Sequence, residues 1–175
     1  MLSQYMKPIQ GDSAGNDIKW DSLVLETELY LKTGNYALLR DVRHRKARFV
    51  ELEGNSRIAA AYYLMVFYGD LNGFRNAEEI ISANRNGFSG WKSSATVDPG
   101  IVNKISTIIH DCAISDTDLE EFFQKSFIPG IYQCHLFTVE ECKEILELAR
   151  AGKIGSINSR IADAEGRLKQ QFGAA

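Results

Sequence analysis

Residues 58–68 read Ile-Ala-Ala-Ala-Tyr-Tyr-Leu-Met-Val-Phe-Tyr, eleven positions without a charge. The stretch is apolar all round and rich in Ala, Leu and Met, so it reads as a helix rather than a strand. An apolar surface on every side escapes water only by being surrounded, which makes this the expected central helix. It is too short for the ~18–20 residues a bilayer span needs. Gly54-Asn55-Ser56 interrupts the chain just before it, with Asn55 or Ser56 suited to cap the helix. Asp70-Leu71-Asn72-Gly73 reads as the turn after it.

Helical spacing extends in both directions. Upstream, Trp20, Leu23, Val24, Leu25 and Leu29 predict one helix, stopped by Gly34-Asn35. Leu39, Val42, Lys46, Phe49 and Val50 predict the inner face of a second, over 36–52, with the Lys46 stem lying along it. Downstream, Phe74 to Ala83 reads as a helix with Ala77, Ile80 and Ile81 inward. Asn84 to Gly100 is the longest irregular stretch. Ile101, Ile105, Ile108, Ile109 and Cys112 resume the helical period, Thr117-x-x-Glu120 has capping-box form, and Phe127 to Phe137 reads as a connector. Thr138-Val-Glu-Glu141 is the clearest capping box, opening a helix that runs to about Ala151 before Gly152. Beyond it Ile154, Ile157, Ile161, Ala164 and Leu168 form a seam that can pack on Val139, Cys142, Ile145 and Ala149. The expectation is an all-α chain: a compact bundle of roughly six to eight helices ending in an αα-hairpin. Residues 1–135 would form the main helical domain and 136–175 the hairpin, packed on it or extending it.

Composition narrows the functions. The chain has 175 residues, 45% of them apolar and 25% charged, which excludes a disordered polymer. A net charge of −3 gives no global case for nucleic acid or an anionic membrane. Three cysteines cannot all pair, and Met1 to Pro8 lacks the pattern of a secretory signal, so a cytoplasmic protein with free thiols is expected.

No constellation points to catalysis or a cofactor. Arg40, Arg43, His44, Arg45, Lys46 and Arg48 are dense but spread around most of a helix circumference, where a nucleic-acid helix would gather them on one side. Ion pairs or an acidic protein partner fit them better. Cys112, Cys134 and Cys142, with His110 and His135, lack the short paired spacing of a zinc site. Cys134 and His135 are adjacent, which does not suit proton transfer between them. Glu78-Glu79, Glu120-Glu121, Glu140, Glu141, Glu144 and Glu147 fall on helix exteriors rather than in a dry cleft. No phosphate-binding glycine motif or nucleophile elbow occurs, and Gly87-Phe-Ser-Gly90 is one residue short of the latter. A non-enzymatic protein without metal or cofactor is expected.

Four features in order resemble the N-terminal domain of the ImpA/TssA family of type VI secretion. Pro8-Ile9 precedes Gly15-Asn16-Asp17-Ile18-Lys19-Trp20-Asp21, similar to the family opening of Pro-Ile and Gly-x-Asp-hydrophobic-x-aromatic-Asp. Asn55-Ser56-Arg57-Ile58-Ala59, leading into Leu64, falls where the family starts its apolar helix with a Ser-Lys-Asp-Leu-Arg-like run. Gly69-Asp-Leu-Asn-Gly73-Phe74 resembles the glycine-bounded turn that follows, and Trp91 and Pro99 resemble the tryptophan and proline closing the conserved block. Asn16 and Asn55-Ser56-Arg57 depart from the family pattern. The resemblance covers residues 8 to 100. It implies a cytoplasmic, non-enzymatic protein that assembles the baseplate, tail tube and sheath by protein contacts. An unrelated helical adaptor or immunity-type binding protein is the alternative.

Two surfaces could carry such contacts. Phe88 and Trp91 lie in the long irregular stretch and belong to the aromatic class enriched at binding hot spots. Ile157 and Ile161, in the terminal seam, can pack within their hairpin or across a homo-oligomer.

Overall fold

The structure, a computed structural model, describes residues 25, 29, 36–72, 82, 83, 85–88, 90–111, 114, 115, 117, 118, 120, 121 and 136–172. Five helices are defined within them: α1 Tyr36–Leu52, α2 Ser56–Asn72, α3 Pro99–Asp111, α4 Val139–Arg150 and α5 Ile154–Phe172. Helix is the only regular structure among the described residues, and Leu25, Leu29, Ser82 and Ala83 are helical too.

α2 is the centre. From Ile58 to Tyr68 every residue is buried. The expected turn at Asp70-Leu71-Asn72 is instead the last turn of this helix. Leu71 is fully buried, and the Asp70 carboxylate is taken up by Arg40 rather than by a turn amide.

A left-handed glycine joins α1 to α2. At Gly54 (φ +83°) the chain reverses, the Gly54 N–H donating to the Glu51 carbonyl and the Asn55 N–H to the Val50 carbonyl, both at 3.0 Å. This is the Schellman pattern, and Asn55 is at once the residue before α2, its carbonyl accepting the Ala59 N–H. α4 and α5 are joined in the same way through Gly152 (φ +72°), with Gly152 donating to Ala149 and Lys153 to Leu148. The capping box at Thr138 is complete: its Oγ1 accepts the Glu141 N–H and Glu141 Oε1 accepts the Thr138 N–H. The expected box at Thr117 is displaced, because Ser115 Oγ accepts the Asp118 N–H and Thr117 is already helical.

The expected irregular stretch is without regular structure over 91–98, a strap that ends in a helix cap. Asp98 Oδ1 accepts the Gly100 N–H at 2.9 Å, which leaves Pro99 at the first helical position where a missing N–H costs nothing. Further back the Ser93 N–H and Oγ both donate to Glu165 Oε1 on α5, at 3.0 and 2.8 Å. Between them the Thr96 N–H donates to the Asp70 carbonyl at the end of α2. One core runs through all of this, joining Ala47 and Val50, all of buried α2, Phe88, α3, Leu136, Phe137 and the facing sides of α4 and α5.

Candidate functional site

α1 sorts its charges by side. Arg40 grips two carboxylates: Nε and Nη2 donate to the two Asp70 oxygens at 2.8 and 3.1 Å, and Nη2 also donates to Asp98 at 3.0 Å. One guanidinium thus ties α1 to the end of α2 and to the cap of α3, using the planar fork that suits carboxylates. Burial raises the Asp70 pKa above the ordinary carboxylate value, and the Arg40 bond only partly offsets it. Burial also pushes Asp98 upward, but the Gly100 amide and Arg40 prevail and hold it below that value. Next along the helix, the Tyr63 hydroxyl donates to Glu51 at 2.9 Å, and Lys104 Nζ donates to both Glu51 oxygens. Burial, then the Glu51 carboxylate, drive the Tyr63 pKa upward, so the phenol stays protonated. The His44 ring meets Tyr63 edge-on at 6.0 Å.

Arg43 and Lys46 are only 3% and 4% exposed. The basic cluster is therefore not one solvated surface: Arg43 and Lys46 are inside, Arg40 and His44 are half-buried, and Arg45 and Arg48 are outside. The face expected to be buried is corrected accordingly. Leu39, Arg43, Lys46, Ala47 and Val50 are inside, while Val42 is half-buried and Phe49 is 39% exposed.

α1 also leaves apolar side chains outside, among the exposed Asp41, Arg45 and Arg48. Leu38 (41% exposed), Val42, Phe49 and Leu52 (86% exposed) follow one another along the outer face with Arg45 between them, at steps of four and three residues. Such steps keep side chains in one row on a helix. Arg45 is held to Asp41 at 2.6 Å, and exposed Arg48 has no ion-pair partner among the described residues.

The sequence candidates fall elsewhere. Phe88 is buried in a left-handed conformation (φ +59°) and Trp91 is half-buried, their rings meeting edge to face at 5.7 Å. Trp91 Nε1 is buried without a partner among the described residues. Ile157 is buried and Ile161 packs partly buried against the same core, so the seam serves its own hairpin; Ile154, expected in it, is 54% exposed. Ile58 is a core residue, and Pro99 opens α3. Pro8, Gly15, Asp17, Trp20, Asp21 and Gly73 lie outside the described residues, as do Cys112, Cys134 and His135.

Among the described residues no cluster of three or more His, Cys, Asp or Glu side chains could hold a metal, and no helix is long and apolar enough to cross a membrane. The helix-exterior carboxylates are engaged in ion pairs: Glu120 with Lys143, Glu141 with Arg167, Glu144 with Arg160 and Glu147 with Arg150. In sequence Arg40 reads as one member of a basic cluster and Asp70 as part of a turn, with nothing to pair them, and Asp98 is not singled out. Asp98-Pro99 carries a legible signal, an N-cap residue followed by a first-turn proline. No family model, curated protein or solved structure matches the chain.

Proposed function

We propose that the chain is a non-enzymatic, cytoplasmic assembly component that works through protein–protein contacts. Its setting, on the resemblance of residues 8–100 to the ImpA/TssA N-terminal domain, is a type VI secretion system, where baseplate, tube or sheath components would be its partners. The whole chain would then be a bundle of six to eight helices. One observation carries the contact reading: α1 buries Arg43 and Lys46, engages Arg40 with Asp70 and Asp98, and leaves Leu38, Phe49 and Leu52 in water. Large apolar side chains aligned on one exposed face mark an interaction surface more often than scattered ones do. The Arg40 and Tyr63 networks fasten α1 to α2 and α3, so the face is presented by an element already docked in the fold.

Purified sheath, tube and baseplate components, each immobilised in turn, provide the test. At least one should retain the chain, and Leu52→Lys should weaken retention about tenfold without lowering the melting temperature. Retention by none of them, or retention indifferent to Leu52→Lys, overturns the reading.

A further inference from the structure

We propose that the outer face of α1 pairs with the same face of a second copy of this chain, the two helices running antiparallel. The inference rests on the reading of α1 as a contact surface and names its occupant. Two features of the stripe point there, its spacing and its charges. The row Leu38, Val42, Arg45, Phe49, Leu52 has steps of four, three, four and three, and it keeps that alternation when the helix is reversed. A helix with this spacing can seat its knobs between those of its own antiparallel copy.

Charge sets the register. Exposed Asp41 and exposed Arg48 stand at equal distances on either side of the point between His44 and Arg45. A two-fold axis at that point brings Asp41 of each copy to Arg48 of the other, two reciprocal ion pairs in an isologous contact. Arg48 is the member of the face that lacks an ion pair among the described residues, and this pairing supplies one. Leu38 then falls between Phe49 and Leu52 of the second copy, covering the three most exposed apolar side chains of the stripe together. Arg45 lies near the axis, but its own Asp41 at 2.6 Å compensates its charge and limits repulsion between the two copies.

In a parallel two-fold pair Asp41 and Arg48, which share one edge of the stripe, fall on opposite sides of the contact from their counterparts, so that arrangement supplies neither ion pair.

Area sets the strength. A helix of 17 residues is about 25 Å long, and one such face covers less than the ~800 Å² per partner of a standard interface. The dimer should therefore be weak, dissociating in the range of tens to hundreds of micromolar.

Sedimentation equilibrium of the full chain, from micromolar to near-millimolar concentration, tests it. Monomer and dimer should exchange with concentration, and Phe49→Lys should weaken dimerisation at least tenfold. Leu52→Lys should do the same, and at 86% exposure Leu52 has almost no packing to lose if Phe49→Lys proves unstable. Arg48→Asp, which sets two carboxylates together at each end of the contact, should weaken the dimer several-fold, and Arg48→Lys should keep it within about twofold. A chain monomeric throughout, a dimer indifferent to Phe49 and Leu52, or one indifferent to Arg48→Asp would each overturn the proposal. If the chain is monomeric yet Leu52→Lys abolishes retention by a sheath or baseplate component, self-pairing falls and the proposed function stands. A dimer that responds as described but is retained by no such component supports self-pairing and removes the proposed function.

Discussion

Gly54 and Gly152 close the two described hairpins with the same pair of backbone hydrogen bonds, and what stands on either side of them differs. In α1–α2 the second helix is buried all round, and the first supplies charges that reach across to Asp70 and Asp98. In α4–α5 each helix is buried along one side only, and the ion pairs Glu141–Arg167 and Glu144–Arg160 lie along the open edge. The turn is thus a local matter, set by a left-handed glycine one position past the helix cap. What a hairpin becomes depends on how far around each helix the apolar residues extend.

Breaking that contrast starts at α2. Leu64→Asp should leave no folded state, since an unpaired charge in a fully enclosed site costs several kcal/mol against a typical total of about 5–15. Ser159→Asp, on the exposed side of α5, should shift stability by less than about 0.5 kcal/mol. Circular dichroism melts of both variants check this, and a Leu64→Asp protein that melts cooperatively would remove α2 from the core.

In the second hairpin Ile157→Ala should cost about 2–4 kcal/mol in urea unfolding. Ile157→Asp combined with Ile161→Asp should collapse stability further rather than release a folded monomer from an oligomer. A stable, smaller species would mean the seam faces another chain.

The turns should respond alike. A Cβ at Gly54 or at Gly152 meets nothing within 4 Å, so Gly→Ala at either costs only the left-handed backbone, about 1 kcal/mol. A much larger loss at one of them would show that its turn is under tertiary as well as local control.

Acid gives the smallest and sharpest contrast. Burial raises Glu141, but Arg167 and the Thr138 amide together hold it below its ordinary value, as Gly100 and Arg40 do for Asp98. Such groups stabilise the fold above the ordinary carboxylate pKa, and that contribution is lost as pH falls through their lowered values. Asp70 is raised, so the folded state takes up its proton before the unfolded chain does, and acidification through that range returns some stability. The two effects oppose each other around Arg40 and have no counterpart at Glu141. Between pH 6 and 3, Glu141→Gln should reduce the acid-induced fall in melting temperature by about 1–3 °C, and Asp70→Asn should enlarge it. Equal responses from the two variants would erase the distinction.

The parts of this fold that were legible in the sequence are those whose causes are local. Residues 58–68 announce a surrounded helix by their own composition, and Thr138, Glu141 and Gly152 mark the limits of α4 by hydrogen bonds within a few residues. The rotation of α1 was misread for the opposite reason. Nothing within its own turn tells Arg43 to go inside and Phe49 to stay out; the helix is set partly by Arg40, whose partners lie 30 and 58 residues away. The stretch holding the strap reads as irregular in sequence, but its anchors are hidden in the same way. Its polar groups look free in sequence because their acceptors are on α2 and α5, and Phe88 and Trp91, plausible as surface hot spots in an irregular stretch, turn toward the core instead.

That strap also has a consequence in time. Ser93 must wait for Glu165, 72 residues further along, before its two hydrogen bonds can form. At typical synthesis rates of about 5–20 residues per second, roughly 4–14 s separate the two on the ribosome. At the start of that interval α1 and α2 are already made and α3 follows within it, while the sides of the core that α4 and α5 will cover are bare. The nascent chain therefore passes through a stage with its most apolar helix only partly enclosed, and the strap, already held to Asp70 and Arg40, gains its Glu165 contact only after α4 has been made.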